Sequence, residues 1–309
     1  MRFTVAYTDA GGASRDRSYR ISLATWLKHF VLAGAGFTPG PKLLLRGLGA
    51  LAWYWDFVAP VATGSDCFGE PIPILRDPTL KAHFSNLVGR AFADFLGREI
   101  EGALITRSYE GVLAATGTRL TGSRPDLLAI RPGRVVAIEA KGYAKKYVSA
   151  AEMATHKSQA AQGSLLRHSF AASVAYALYD EIKVSYLDPE DDFPRPDRAS
   201  VRSQLQEYFA LAEVSASELG HREVILQNRR VVHIPLPEAV RGRVPIDVER
   251  GATLNNIALL IDRELVSEAA RALASERSEA DSRFLQPAHR VDVEGLFIDS
   301  DGIGISTAG

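Results

Sequence analysis

Two acidic residues and one lysine stand out in the sequence because they lie at the ends of two neighbouring apolar segments. Asp126 precedes the apolar run 127–130, and Glu139 and Lys141 follow the apolar run 135–138. Carboxylates are hard oxygen ligands of the kind that Mg²⁺ prefers, and a lysine beside them adds a positive charge. Charged residues seldom occupy the ends of buried segments without a partner or a purpose. These three residues are therefore the first candidates for a functional site.

The two apolar runs predict a pair of strands that would hold these residues together. Each run is short, rich in leucine or β-branched residues and bounded by turn formers, and Pro132-Gly133 separates the two runs. A hairpin made from them brings Asp126 beside Glu139 and Lys141. Because side chains alternate along a strand, Glu139 and Lys141 share one face and Ala140 points to the other.

Further elements are predicted on both sides of this hairpin. The strongest is a helix whose apolar residues recur every three or four positions, with Pro78 at its start and Gly97 at its end. A second helix begins with Ser149 and Glu152, a capping-box pattern, and ends before Gly163. In chain order, the predicted elements are a helix over 78–97, a strand over 103–106 or 112–115, the hairpin, a helix over 149–162, and strands over 173–178 and 183–187. The alanine-rich run 171–177 is also compatible with a continued helix.

The joint pattern of Pro125-Asp126 and Glu139-Ala140-Lys141, each at a strand end, resembles the PD-(D/E)XK nuclease superfamily. The resemblance covers roughly residues 80–188. It implies an α/β fold with a restriction-endonuclease-like αβββαβ core, in which helices flank a mixed central sheet. The helix over 149–162 would then be the crossover that parallel strand pairing requires.

The resemblance also implies roles for individual residues. Mg²⁺, for which Mn²⁺ could substitute, would be bound by Asp126, Glu139 and the Ala140 carbonyl, and Lys141 would position or activate water. Family members place a glutamine on the helix after the second motif, which suggests Gln159, one turn before Gln162. The preceding helix often adds an acid to the metal site. Asp94 is the favoured candidate because Gly97 is expected to end the helix before Glu99.

The local charge favours a nucleic acid as the partner. Residues 117–170 contain nine Lys or Arg residues and three acidic residues, although the whole chain has a formal net charge of −1. Such a local excess suits a phosphate backbone. The predicted contacts are Arg124, Lys145, Lys146 and Lys157, and for each of them a solvated surface side chain is the alternative interpretation.

Composition excludes several other classes of site. Cys67 is the only cysteine, so a thiolate metal cluster and an intramolecular disulfide are excluded. The seven histidines show no metal-binding spacing. The N-terminal residues lack the pattern of a signal peptide, and the most apolar region, 43–61, is interrupted by Arg46 and Asp56. A cytoplasmic protein without a membrane span is the expectation.

The sequence predicts three regions: a helical N-terminal region over 1–78, the nuclease-like core over 79–190, and an α+β extension over 191–309 that could pack on the core as one domain. In the extension we expect a helix over 201–211, a hairpin over 223–227 and 230–236, a helix over 254–275 and a final strand near 293–298.

Three functions are compatible with these patterns. The first is a metal-dependent nuclease acting on DNA in restriction, defence or repair. The second is a non-catalytic nucleic-acid-binding or scaffold module on the same fold. The third is an unrelated α/β protein in which Glu139 and Lys141 form a surface ion pair, worth about 0–1 kcal/mol.

Overall fold

The chain forms two compact units in the computed structural model. The first unit contains Met1–Ile21, Leu32–Gly36 and Tyr54–Val201, and the second contains Ser22–Val31, Phe37–Trp53 and Arg202–Gly309. The structure describes residues 1–34, 41–71, 77–115, 123–131, 134–162, 168–188, 204–205, 222–226, 229–235, 258–267, 291–293, 296–298 and 303–306.

The first unit is built on a seven-stranded mixed sheet. In sheet order its strands are β2 (Ser14–Arg20), β1 (Arg2–Thr8), β7 (Lys183–Leu187), β6 (Ser169–Tyr176), β5 (Arg134–Gly142), β4 (Leu127–Arg131) and β3 (Ile105–Ser108). The pairs β1–β7 and β5–β6 are parallel, and the other neighbouring pairs are antiparallel. The predicted mixed α/β class and the β4–β5 hairpin are confirmed, while Pro132-Gly133 lie outside the described residues.

Six helices accompany the strands in the described part of the chain, besides a short helical segment at residues 263–267. They are α1 (Leu23–Leu32), α2 (Pro41–Trp53), α3 (Trp55–Ala62), α4 (Pro78–Glu99), α5 (Tyr109–Ala115) and α6 (Ala150–Ala160). None of the helices in the described residues combines the length and apolarity needed to cross a membrane.

Helix α4 begins where the sequence predicts and ends later. Asp77 caps its start by accepting a hydrogen bond from the Thr79 amide at 2.8 Å. The helix continues through Gly97 to Glu99. A β-carbon on Gly97 would lie 3.2 Å from Ile138 and 3.4 Å from Ala129. Gly97 therefore provides a close approach to the sheet and does not stop the helix.

The two faces of the sheet are covered differently. Ile138 and Ala129 face α4, as their proximity to Gly97 shows. Helix α6 lies on the opposite face, where Met153 clusters with Ala172 and Val174 of β6. Ser149 and Glu152 form the predicted capping box at the start of α6, and Gly163 lies outside the described residues.

The structure corrects one local prediction and decides two alternatives that the sequence leaves open. The N-terminal region is not wholly helical, because residues 2–20 form the β1–β2 hairpin on the edge of the sheet. Its second strand is polar and exposed, so it carries no clear apolar alternation. The strand near 103–115 is Ile105–Ser108, whereas residues 112–115 belong to α5. The predicted strand over 173–178 is confirmed in most of its length, since Ser169–Tyr176 is the buried strand β6, and the alternative of a continued helix over 171–177 is excluded.

The second unit contains a six-stranded antiparallel sheet. In sheet order its strands are β11 (Val291–Val293), β12 (Leu296–Ile298), β13 (Ile303–Ser306), β10 (Ala258–Asp262), β9 (Arg229–Pro235) and β8 (Arg222–Leu226). The β8–β9 hairpin is confirmed. The single final strand predicted near 293–298 is wrong in part, because β11 and β12 are separate antiparallel strands and β13 follows them. The helix predicted over 254–275 is wrong over 258–262, where β10 forms and pairs with β9 and β13, whereas residues 263–267 are helical as predicted. Residues 254–257 and 268–275 lie outside the described residues. The helix predicted over 201–211 lies outside the described residues except at 204–205.

Candidate functional site

The structure brings Asp126, Glu139 and Lys141 together at the ends of β4 and β5. Asp126 Oδ2 accepts a hydrogen bond from the Ala140 amide at 3.0 Å and lies 3.4 Å from Lys141 Nζ. Lys141 Nζ lies 2.5 Å from Glu139 Oε1. The antiparallel register, in which Leu127 pairs with Ile138, places Asp126 opposite Glu139. The hairpin thus positions the two carboxylates on either side of one ammonium group.

The three side chains point to the face of the sheet that carries α6. Ile138 points to α4, so alternation along β5 turns Glu139 and Lys141 to the other side. In the parallel register, Glu139 pairs with Ala172 and Lys141 pairs with Val174. Both β6 partners belong to the cluster that contains Met153 of α6. The site therefore lies at the sheet's end, beside α6.

Two glycines hold the end of β5 close to α4. A β-carbon on Gly142 would lie 1.7 Å from the Ser85 carbonyl oxygen, and one on Gly89 would lie 2.3 Å from the Lys141 carbonyl carbon. Only residues without side chains allow this backbone contact between helix and strand. The contact fixes the backbone of Lys141 against a long buried helix, which limits its movement.

Glu139 is a buried carboxylate with spare binding capacity. Its side chain is 0% exposed, and burial, followed by repulsion from Asp126, raises its pKa to about 7 against the opposing effect of Lys141. Lys141 lies close to Oε1, but within the described structure no hydrogen bond satisfies Oε2. A buried carboxylate oxygen without a partner costs free energy unless a ligand satisfies it.

Lys141 carries a proton at neutral pH. Burial alone would lower its pKa, but Asp126 and Glu139 together raise it above the ordinary value. The side chain is 26% exposed, so a ligand can reach the ammonium group. The lysine is therefore suited to act as a positive charge, and it is a poor general base.

Asp94 lies away from these residues. It is 0% exposed, accepts a short hydrogen bond from Thr106, and lies 3.5 Å from Arg98 Nε. Thr106 is also near Gly97, so Asp94 reaches the α4 face of the sheet, whereas Glu139 points to the α6 face. The structure does not bring Asp94 to the predicted metal site, and Asp94 is a buried structural acid. The described residues include no group of three or more His, Cys, Asp or Glu residues arranged to hold a metal ion.

The four predicted nucleic-acid contacts all have protein partners. Arg124 Nε donates to Glu110 at 2.7 Å, and Lys146 Nζ lies 2.7 Å from Asp180. Lys145 makes a short contact with Glu152 and lies 4.6 Å from the centre of the Tyr143 ring. Lys157 Nζ lies 5.8 Å from the centre of the Phe170 ring. Ion pairs at exposed positions are worth only about 0–1 kcal/mol, so a phosphate group could replace their acids.

Gln159 is half-buried and lines a depression beside the site. Ser123, Ala154, Thr155, Ser158 and Gln162 complete its lining. Ser123 is three residues before Asp126 in the chain, so the depression borders the segment that leads into β4. Of the two candidate glutamines, Gln162 is exposed and Gln159 is partly buried. The structure thus places Gln159 in the same depression as Ser123.

Sequence reasoning did not identify His156 as a site residue. Its Nε2 lies 3.1 Å from the Tyr143 hydroxyl, and its Nδ1 is buried without a hydrogen bond in the described part of the chain. Burial, and then the nearby Lys141, lowers its pKa, so the ring is neutral at neutral pH. Helical spacing from Met153 could have located it, because position i+3 shares the inward face of α6.

The chain was compared with protein-family models, with curated proteins and with solved structures, and none of the three comparisons found a match.

Proposed function

We propose that the protein is a metal-dependent nuclease that hydrolyses phosphodiester bonds in DNA. The observation that carries this proposal is the pair of carboxylates at adjacent strand ends, one of them buried with a partnerless oxygen, beside a protonated lysine. The order of elements supports it: α4, β3, β4, β5, α6 and β6 follow the αβββαβ order of restriction-endonuclease-like cores, with the short helix α5 inserted between β3 and β4.

The donor set fits a hard divalent cation. Glu139 Oε2 lacks a hydrogen bond in the described structure, and Asp126 uses Oδ2 for its described contacts, which leaves Oδ1 for a ligand. One or two carboxylates suffice for Mg²⁺, because the ion keeps several waters and accepts substrate phosphate oxygens. The Ala140 carbonyl is the further proposed ligand. Bound Mg²⁺, or Mn²⁺ in its place, would polarise the phosphate and lower the pKa of a bound water.

The protein's own residues perform the remaining tasks. Asp126 accepts a hydrogen bond from the Ala140 amide, and this bond fixes the Asp126 carboxylate at the end of β5. Lys141 places a positive charge where negative charge develops on the phosphate during hydrolysis, and such preorganised charge is a major source of rate enhancement. Gln159 would assist from the depression beside α6.

Metal dependence is the first test. We expect purified protein to cleave plasmid and linear DNA with Mg²⁺ or Mn²⁺, and to lose this activity in EDTA and in Asp126→Ala and Glu139→Ala. Glu181→Ala is a matched control, because Glu181 is an exposed acid that pairs with Lys183. Undiminished cleavage in EDTA or in both site variants would refute the proposal. Metal-independent DNA binding without cleavage would favour the non-catalytic module.

A second test concerns the lysine. Lys141→Ala should lose turnover while it retains DNA affinity, because the charge acts on the transition state more than on the bound substrate. Single-turnover rates at saturating DNA, together with dissociation constants, separate the two effects. A parallel fall in affinity and rate would instead make Lys141 a phosphate anchor.

A further inference from the structure

The β1–β2 hairpin carries a pair of arginines in an arrangement that costs stability. Arg2 and Arg20 are directly opposite each other in the antiparallel register, and both are exposed. Like charges directly opposite on neighbouring strands are destabilising. Neither arginine forms an ion pair within the described residues. Two exposed arginines that repel each other form a positive patch, and such a patch attracts a negatively charged partner.

This pair lies on the same face of the sheet as the candidate site. Phe3 packs on Phe92 of α4, with 4.8 Å between ring centres, and Tyr19 packs on Phe95 at 5.4 Å. The odd-numbered residues of both strands near this end therefore face α4. Arg2 and Arg20, which alternate with them, face the opposite side, as Glu139 and Lys141 do.

The strand register fixes how the two places are related. One row of partners connects them across the sheet: Lys141, Val174, Ser185, Ala6 and Asp16. Arg2 lies four residues before Ala6 on β1 and therefore lies beyond this row, in the direction in which β5 ends. Strand spacings of 4.7–4.9 Å and a rise of about 3.3 Å per residue place Arg2 and Arg20 roughly 20 Å from Lys141. At a rise of 3.4 Å per base pair, this distance corresponds to about six base pairs of duplex DNA.

The sheet is polar next to the hairpin, whereas β6, which lies closer to the candidate site, carries Val174 buried in the α6 cluster. Thr4, Ser18 and Ser185 are half-buried or exposed on this face. Lys183 pairs with Thr4 in register, and its ammonium group lies 3.0 Å from Glu181, so within the described residues the two arginines carry the unpaired positive charge of this surface. Small polar side chains leave room for a backbone to pass close to the sheet, and the cations lie where phosphates would be neutralised.

We propose that the outer face of the β1–β2 hairpin binds the phosphate backbone of double-stranded DNA, about six base pairs from the scissile bond. The inference rests on the proposed nuclease function for the position of the reacting phosphate. Arg2 and Arg20 are the main contacts. The surface anchors the duplex and carries no sequence information, because phosphate contacts position a duplex and base contacts specify its sequence.

Arg20→Glu gives a sharp test, since it replaces a repulsive cross-strand pair by an attractive one. Thermal unfolding should show that the variant is at least as stable as the wild type. Its affinity for a 20-bp DNA duplex, measured in EDTA by fluorescence anisotropy, should fall by tenfold or more. Arg20→Gln should weaken binding several-fold and reduce the slope of log K against log salt by about one. Arg15→Gln, a charge-matched change on the α4 face of the same hairpin, should keep wild-type affinity and slope.

Three results would overturn the inference: wild-type affinity in both Arg20 variants, an equal loss in Arg15→Gln, or arginine-dependent binding of duplex RNA but not of duplex DNA. The cleavage rate at saturating DNA distinguishes this inference from the proposed function. Arg20→Glu should retain that rate. If the wild type shows no metal-dependent cleavage but its DNA binding depends on Arg20, the binding surface stands and the proposed nuclease function fails.

Discussion

Two buried glutamates on opposite faces of one sheet show what separates a candidate site from a structural contact. Glu139 and Glu101 are 0% and 3% exposed, and the pKa of each is raised to about 7, in both cases chiefly by burial. Glu101 is satisfied at both oxygens: the Tyr186 hydroxyl donates at 2.8 Å, and Arg134 lies at 2.9 Å. Glu139 has a lysine beside one oxygen and no hydrogen bond at the other within the described structure.

The side chains around Glu101 explain why its carboxylate is closed to further ligands. Tyr186 stacks with Tyr7 at 6.3 Å between ring centres, and the Tyr7 hydroxyl makes a short hydrogen bond to Asp188. These groups seal Glu101 on the α4 face, where Phe3 also packs. A raised pKa therefore does not identify a functional carboxylate by itself. A functional carboxylate is identified better by an oxygen without a hydrogen bond and by a second, accessible carboxylate beside it. Such an arrangement leaves oxygen atoms that can bind a ligand.

The largest expected effect separates the two glutamates by activity. Glu139→Gln should reduce the DNA cleavage rate by roughly 10³-fold, in the range found when one preorganised electrostatic contact to a transition state is removed. Glu101→Gln should cleave at the wild-type rate per folded molecule. Single-turnover cleavage with the folded fraction determined by circular dichroism measures both. Equal losses of the cleavage rate in the two variants would show that Glu139 and Glu101 do not differ in function.

The second prediction concerns Asp94, which shares the α4 face with Glu101. Asp94→Asn removes the negative charge that lies 3.5 Å from the buried Arg98 Nε, and breaking a buried pair costs about 3 kcal/mol. Urea unfolding should show this loss, whereas the cleavage rate of the folded variant should be unchanged. If the variant kept its stability but lost cleavage, Asp94 would instead be assigned to the metal site.

Much of the site's frame follows from local sequence. The runs 127–130 and 135–138 are apolar enough to specify strands, and their hairpin dictates that Asp126 meets Glu139. Ser149 and Glu152 specify the start of α6 by hydrogen bonds that depend only on neighbouring residues. In each case the signal is local, so the sequence contains it in full.

The wrong predictions depend on tertiary contacts. Gly97 has the composition of a helix stop, but packing on Ile138 and Ala129 keeps it inside α4. Asp94 lies on a helix face that meets the sheet, yet the sequence does not state which side of the sheet that helix covers. Strand β2 is recognisable only from its pairing with β1, because its residues are polar and exposed.

The third prediction uses the pH dependence of stability. Both glutamates have a folded pKa near 7, above the ordinary 4.5. Each therefore contributes stability that is complete below pH 4.5 and is lost as the pH rises towards 7 and beyond. At 1.36 kcal/mol per pKa unit, each contributes about 3 kcal/mol. Between pH 5 and pH 8, Glu101→Gln and Glu139→Gln should each lose less free energy of unfolding than the wild type.

Added Mg²⁺ should separate these two contributions. Binding to the ionised site stabilises the folded protein by mass action, so 10 mM Mg²⁺ should reduce the pH-dependent loss in wild type and in Glu101→Gln. Glu139→Gln should show no such change. Urea titrations at pH 5, 6, 7 and 8, with and without Mg²⁺, provide the measurement. A Mg²⁺ effect that depended on Glu101 would reverse the roles assigned to the two carboxyls.

The smallest expected effect tests whether the site formed by Asp126, Glu139 and Lys141 also includes a residue of α6. His156 Nδ1 is buried without a hydrogen bond in the described residues, and Nε2 contacts the Tyr143 hydroxyl. His156→Phe keeps the ring and removes both nitrogens. Because replacing a buried, unsatisfied polar atom by an apolar group is nearly neutral or stabilising, the fold should not lose stability. We expect about a fivefold fall in the cleavage rate, equivalent to about 1 kcal/mol, since the ring lies near Lys141 and Asp126.

Tyr143→Phe is the matched control for this variant, because it removes the same hydrogen bond and keeps the imidazole. If Nδ1 is the atom that serves the site, Tyr143→Phe retains activity while His156→Phe loses it. Equal losses would show that the hydrogen bond positions the loop after β5, and that His156 acts through Tyr143. Full activity in both variants would show that the site consists of Asp126, Glu139 and Lys141 without His156. His156 would then be a packing residue, like the aromatic groups that enclose Glu101.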